Sequence, residues 1–150
     1  MTARVQQSPF DFAAEVADFQ AAAAGAVVTF TGIVRDDTGT LQHMEIEHFP
    51  AMTEKSLTKF AEQAREKFQL ENVMVIHRFG VLKPGEMIMM VATAARHRKD
   101  AFGAADYLMD YLKSRAPFWK KEVSASGATW VDAKDQDEQA LRDWDTTLPG

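Results

Sequence analysis

Residues Met87–Ala94 read MIMMVATA, eight consecutive positions without a charge. A strand with one face in water alternates apolar and polar residues. This one is apolar on both sides, which predicts a central strand covered on both faces. Working outward, Lys83-Pro84-Gly85-Glu86 is a turn with proline and glycine in the favoured order, and Val73–Phe79 reads as the strand before it. On the other side, a helix is predicted from about Lys99 to Arg115. Ala101, Ala105, Leu108 and Leu112 form its apolar row, and Phe102 and Met109 widen it. Pro117 stops it, because the residue before a proline avoids the helical region.

Nearer the N-terminus, Ser8 is a candidate N-cap with Pro9 at the first helical position. Phe12, Val16 and Phe19 then give a helical period that ends near Gly25. Ala26–Arg35 is rich in β-branched residues and reads as a strand. Asp36–Thr40 is a turn cluster, and Leu41–Phe49 is expected to return as the second strand of a hairpin. Ala51–Phe68 carries a second amphipathic helix. Phe118–Val123 and Ala128–Val131 are short strands around a Ser124–Gly127 turn, and a polar tail from about Lys134 carries a last helix to Trp144. Consecutive strands joined by short turns imply antiparallel pairing, hence an α+β fold. No linker divides residues 1–150, so a single domain is expected.

Composition narrows the function. A chain of 150 residues buries roughly 68–70% of its unfolded surface, enough for a real core. It has no cysteine, which excludes disulfides, thiolate nucleophiles, persulfide relays, cysteine-ligated zinc and iron–sulfur clusters. Any sulfur chemistry must use sulfur brought by another molecule. No apolar run approaches the roughly 18 residues of a membrane span, and the first residues lack the core of a signal peptide, so a cytoplasmic protein without a membrane partner is expected. The net charge is −5, which argues against nucleic-acid binding. Yet Arg96–Lys121 holds seven basic residues against three acids, a net +4 that leaves −9 elsewhere. Such an island points to one specific anionic ligand.

Within the island, Arg96-His97-Arg98-Lys99 stands where a strand hands over to a helix. A helix start offers free N–H groups and the positive end of the dipole, so added guanidinium and imidazole groups suit a phosphate or carboxylate. A solvated basic turn is the alternative. Lys113 and Lys120 flank Pro117. If the bend brings them together, repulsion and burial lower one amine toward neutrality and fit it for acid/base or imine chemistry. Alternatively, Lys113 complements the helix dipole and Lys120 is a surface strand residue. Arg35, at a strand end, is either a loop arginine or a ligand clamp. His43, His48 and His77 lack metal-ligand spacing, so no metal is expected. Trp119, Trp130 and Trp144 belong either to a core or to a partner interface.

Several segments together resemble a known family. They are Gly25-Ala-Val-Val-Thr-Phe-Thr-Gly-Ile-Val-Arg35, Glu47-His-Phe-Pro-Ala-Met-Thr-Glu54, Val75-Ile-His-Arg-Phe-Gly80 and, most specifically, Met109-Asp-Tyr-Leu-Lys-Ser-Arg-Ala-Pro-Phe-Trp-Lys-Lys-Glu122. In this order they are similar to the molybdopterin synthase catalytic (large) subunit family. The resemblance implies an α+β fold with an α/β hammerhead portion and a further β-rich portion. It implies a sulfurtransferase that converts cyclic pyranopterin monophosphate into molybdopterin, with no cofactor of its own. The sulfur arrives as a thiocarboxylate on the C-terminal glycine of a small ubiquitin-like partner subunit, within a heterotetramer built on a homodimer of the large subunit. Residue by residue, the resemblance makes Lys113 and Lys120 catalytic. It assigns Ile33, Val34, Arg35, His97, Arg98, Lys121 and Glu122 to substrate binding. After Trp130-Val131-Asp132-Ala133 the family often has an arginine reaching the neighbouring subunit's site. Here Lys134 stands there, keeping the charge without the bidentate fork. Two competing readings remain: a scaffold that docks a ubiquitin-like protein without turnover, and a different phosphate-ligand enzyme that needs no second protein.

Overall fold

The computed structural model of the chain describes residues 1–131 and 135–146. Its elements are β1 (Thr2–Gln6), α1 (Phe12–Asp18), β2 (Ala26–Ile33), β3 (Leu41–His48), α2 (Pro50–Phe68), β4 (Asn72–Arg78), β5 (Gly80–Leu82), β6 (Met87–Ala95), α3 (Arg98–Ser114), β7 (Phe118–Ser124), β8 (Gly127–Trp130) and α4 (Asp135–Thr146). The strands form two four-stranded sheets, ordered β1-β4-β6-β2 and β5-β3-β7-β8. All pairings are antiparallel except β1 with β4. This is the expected α+β class.

The apolar strand β6 lies inside the first sheet and is covered on both faces. On one side Met89 and Val91 join Leu57, Phe60, Ala61 and Leu108 of α2 and α3. On the other, Met90 and Ala92 join Met74 and Ile76 under Phe12, Val16 and Phe19. Helix α3 buries Ala101, Ala104, Ala105, Tyr107, Leu108 and Leu112. Each large aliphatic among them contributes about 1.5–3 kcal/mol. Phe102, expected to widen that row, is exposed. The second sheet turns Met44, Ile46 and Leu82 into the same core.

Three expectations change. The N-cap of α1 is Asp11, whose carboxylate accepts from the Ala14 N–H at 3.1 Å, rather than Ser8, and the helix stops at Asp18. The residues before it form β1, which no periodicity announced. The third change concerns topology: β2 and β3 are no hairpin. β2 pairs with β6, and β3 pairs with β5 and β7. The eighth residue of β2 is followed by Val34, whose side chain enters the core. Its N–H and C=O are spent on Glu86 and Gly85. That anchorage sends the chain across to the second sheet instead of back along the first.

Candidate active site

The lysines are brought to one place by a helix end and a strand. Lys113 is on the last turn of α3. The chain bends through Ala116 and Pro117 and returns as β7, where Lys120 pairs with Ile46 of β3. Side chains alternate along a strand, so Phe118, Lys120 and Glu122 share the face that carries Ile46 and His48. Lys120 is half-buried there. Burial first, then the Lys113 ammonium, holds its amine below the usual lysine range, while Asp137 of α4 pulls the other way. The Lys113 ammonium thus bears electrostatically on the Lys120 amine across the Pro117 bend.

Behind Lys120 stands His77 of β4. Its ring stacks on Phe118 with centroids 3.8 Å apart and planes 15° apart. Its Nδ1 lies 2.8 Å from the Arg78 carbonyl, which only accepts, so Nδ1 carries the proton. Burial pushes this imidazole down to about 3, with smaller contributions from Lys120 and His48, so it is neutral at physiological pH. His48 lies against both Phe79 and Phe118. The wall beside Lys120 is thus aromatic, and its His77 ring is neutral.

The other candidate residues are distributed more widely. Glu122 and Arg35 line one cleft of about 210 Å³, together with Asp36, Thr38, Leu41 and Thr129. Arg35 is largely exposed and pairs with Asp37 at 2.7 Å. Ile33 is exposed beside it, whereas Val34 is buried. Lys121 faces the opposite side of β7 from Lys120. It pairs with Glu45 at 3.2 Å and lies 5.0 Å from the Trp130 ring centre. His97 is the N-cap of α3, with no side chain capping that helix start, and Arg98 opens its first turn. Both are exposed. Arg98 and Lys113 are fifteen positions apart on one helix, about 22 Å at 1.5 Å per residue. Within one chain, then, the basic helix start and the lysine pair stand at opposite ends of α3. Lys134 lies outside the described residues. Among those residues, no group of His, Asp and Glu is arranged to hold a metal ion.

Two contributors escaped the sequence reading. His77 looked like a strand histidine because its stacking partner is 41 positions away in the chain. Asp137 sat in a tail read as polar, although its spacing to Leu141 and Trp144 was a usable signal.

The fold is that of a two-sheet α+β protein without cysteine, whose candidate site residues are mainly lysines and arginines. Residues 5–115 match the family model described as MoaE protein. The chain is 60% identical to the molybdopterin synthase catalytic subunit of Cereibacter sphaeroides over 146 residues, covering 96% of this chain and 100% of that protein. Among solved structures, it resembles the molybdopterin biosynthesis MoaE protein from Burkholderia ambifaria at 46% identity and TM-score 0.82, covering 96% of this chain and 97% of that one. It also resembles molybdopterin synthase from Staphylococcus aureus at 31% identity and TM-score 0.80, covering 85% and 95%. The chain belongs to the MoaE protein family, the catalytic subunits of molybdopterin synthase.

Proposed function

We propose that this chain is the sulfur-transferring half of a molybdopterin synthase and that Lys113 and Lys120 are its reacting amines. The observation that supports this is their placement on either side of the Pro117 bend, with Lys120 partly buried on the β7 face that carries the stacked His77–Phe118 pair. The substrate is cyclic pyranopterin monophosphate. The sulfur donor is a small ubiquitin-like carrier with a C-terminal thiocarboxylate, which fits a chain without cysteine. The thiocarboxylate sulfur forms a bond to a side-chain carbon of the pterin as a carbon–oxygen bond breaks. Lys113 handles the proton taken up by the departing oxygen. Lys120 neutralises charge that develops on the acyl oxygen as water cleaves the resulting thioester. A second loaded carrier delivers the second sulfur.

Arg35, His97 and Arg98 bind the substrate anions, with Ile33, Val34, Lys121 and Glu122 completing the binding segments. Because α3 separates Arg98 from Lys113, the phosphate-binding cations beside a given lysine pair come from a second copy of this chain. A homodimer bearing two carriers, a heterotetramer, follows from that reading. Trp119, Trp130 and Val81 give the outer face of the second sheet an exposed apolar surface for such contacts. Among the described residues no helix is long and apolar enough to cross a membrane, which fits work in the cytoplasm.

The test is mass spectrometry of the pterin after incubation with thiocarboxylated carrier. Incorporation of two sulfurs is expected, and a folded Lys113→Ala variant should lose at least about a hundredfold in rate. A loaded carrier that leaves the pterin free of sulfur would overturn the assignment.

A further inference from the structure

Asp137, Leu141 and Trp144 recur at i, i+4 and i+7, so they form one stripe of α4. Leu141 is buried. Trp144 packs edge-on against Phe68 and Tyr107, and its indole N–H donates to Asp110 Oδ2 at 2.6 Å. Near the other end of α4, Glu138 accepts two bonds from the Arg115 guanidinium, at 2.6 and 3.0 Å. These two clamps fix α4 antiparallel to α3, with its first turns over the end of α3. A packed stripe ordinarily carries apolar side chains. Here its first position is a carboxylate, Asp137, set by the two clamps over the end of α3 that carries Lys113 and within electrostatic reach of Lys120. An acid near a helix start also complements the dipole, but Glu138 beside it already serves that purpose without facing the lysines.

We propose that Asp137 is a positioning residue of the sulfur-transfer site, the carboxylate at the start of α4 that offsets the Lys120 ammonium charge beside the end of α3. The idea rests on the function proposed above. The charged and titratable groups around Lys120 are Lys113 from α3, Asp137 from α4, His77 from β4 and His48 from β3, with Glu122 two positions along β7. Asp137 also faces Asp110 of α3, whose carboxyl is raised first by burial and then by Asp106 and Asp137, against the lowering effect of the Trp144 hydrogen bond and of Lys113. Among these groups Asp137 is the one that favours the charged form of Lys120. Without it, Asp110 remains beside Lys113 but no carboxylate offsets Lys120, which then gives up its proton at lower pH.

The experiment compares wild type, Asp137→Asn, Asp137→Glu and Glu138→Gln. Dithiolene formation from cyclic pyranopterin monophosphate and thiocarboxylated carrier is followed across pH. In parallel, the Lys120 amine is titrated by NMR of lysine-labelled protein. Asp137→Asn should lower the Lys120 midpoint by about half a unit to one unit, move the corresponding limb of the pH–rate profile with it, and reduce kcat about tenfold. Asp137→Glu should restore most of all three. Glu138→Gln loosens the α4 clamp but keeps the Asp137 charge, so it should leave the midpoint in place. An Asp137→Asn midpoint equal to wild type, or an equal shift in Glu138→Gln, would overturn the proposal. A wild-type protein that forms no dithiolene would sink the sulfurtransferase reading instead, while the NMR titration still decides the role of Asp137.

Discussion

The Lys120 amine sits half out of water, beside a stacked His77–Phe118 pair and within reach of a second ammonium group. Its charged form is disfavoured in the folded chain, so the unfolded chain binds its proton more readily. Stability contributed through this residue therefore rises with pH, from its lowered folded value up to the ordinary lysine value of 10.5. Replacing Lys120 with methionine removes that cost while keeping the stem's packing. Urea denaturation should show Lys120→Met about 1 kcal/mol more stable than wild type at pH 7, with the advantage shrinking toward pH 10, while sulfur transfer is lost. His77 titrates in the opposite region. Its imidazole is held neutral down to about 3, whereas the unfolded chain protonates it near 6.5. The fold thus loses stability as pH falls through that window, by an amount on the order of 3–5 kcal/mol. A His77→Phe variant keeps the stack with Phe118 and should resist acid unfolding better than wild type between pH 6 and 3, as read by circular dichroism.

At the scale of elements, periodicity fixed most helices and strands, and what it missed has a common cause. The doubly apolar run of β6 could only be an internal strand, and the row along α3 could only be a packed helix face. Both depend on residues near in sequence. The partners of β2 and β3 depend instead on where Val34 is anchored, a contact with Glu86 and Gly85 some fifty residues on. A local reading defaults to the hairpin because the two strands are adjacent in the chain. The lysine pair could be raised from the sequence for the opposite reason: the two lysines are only seven positions apart with Pro117 between them, although a helix-end lysine and a surface strand lysine fitted the same spacing. Gly25 is a local residue with a distant consequence. A Cβ there would stand 2.3 Å from the Arg96 carbonyl oxygen, a backbone atom that cannot swing away, and the Gly25 N–H already bonds the Ala95 carbonyl at 3.0 Å. Gly25→Ala must push β2 from the end of β6, just ahead of His97 and Arg98. It should cost about 2 kcal/mol or more in urea denaturation and weaken pterin binding, while Gly39→Ala, whose Cβ meets nothing within 4 Å, pays only for its left-handed backbone.

At the scale of the molecule, the length of α3 decides how a site can be assembled. The helix is straight-through packing for the core, with Ala101, Leu108 and Leu112 buried along its length, so it does not fold back to bring Arg98 to Lys113. A rod of about 22 Å separates the cations that suit a phosphate from the amines that suit proton transfer. That distance exceeds what a lysine and an arginine reaching toward each other can close onto one anion. The homodimer proposed above would resolve it, with one copy's helix start lying against the other's helix end. In a mixed dimer of Lys113→Ala with Arg98→Ala, one site combines both lesions and the other has neither. Two inactive homodimers should therefore yield a heterodimer with about half the wild-type rate of dithiolene formation, when the copies are co-expressed with different tags and purified by both. Sites built within single chains would leave every site with one lesion and the mixed dimer as inactive as its parents.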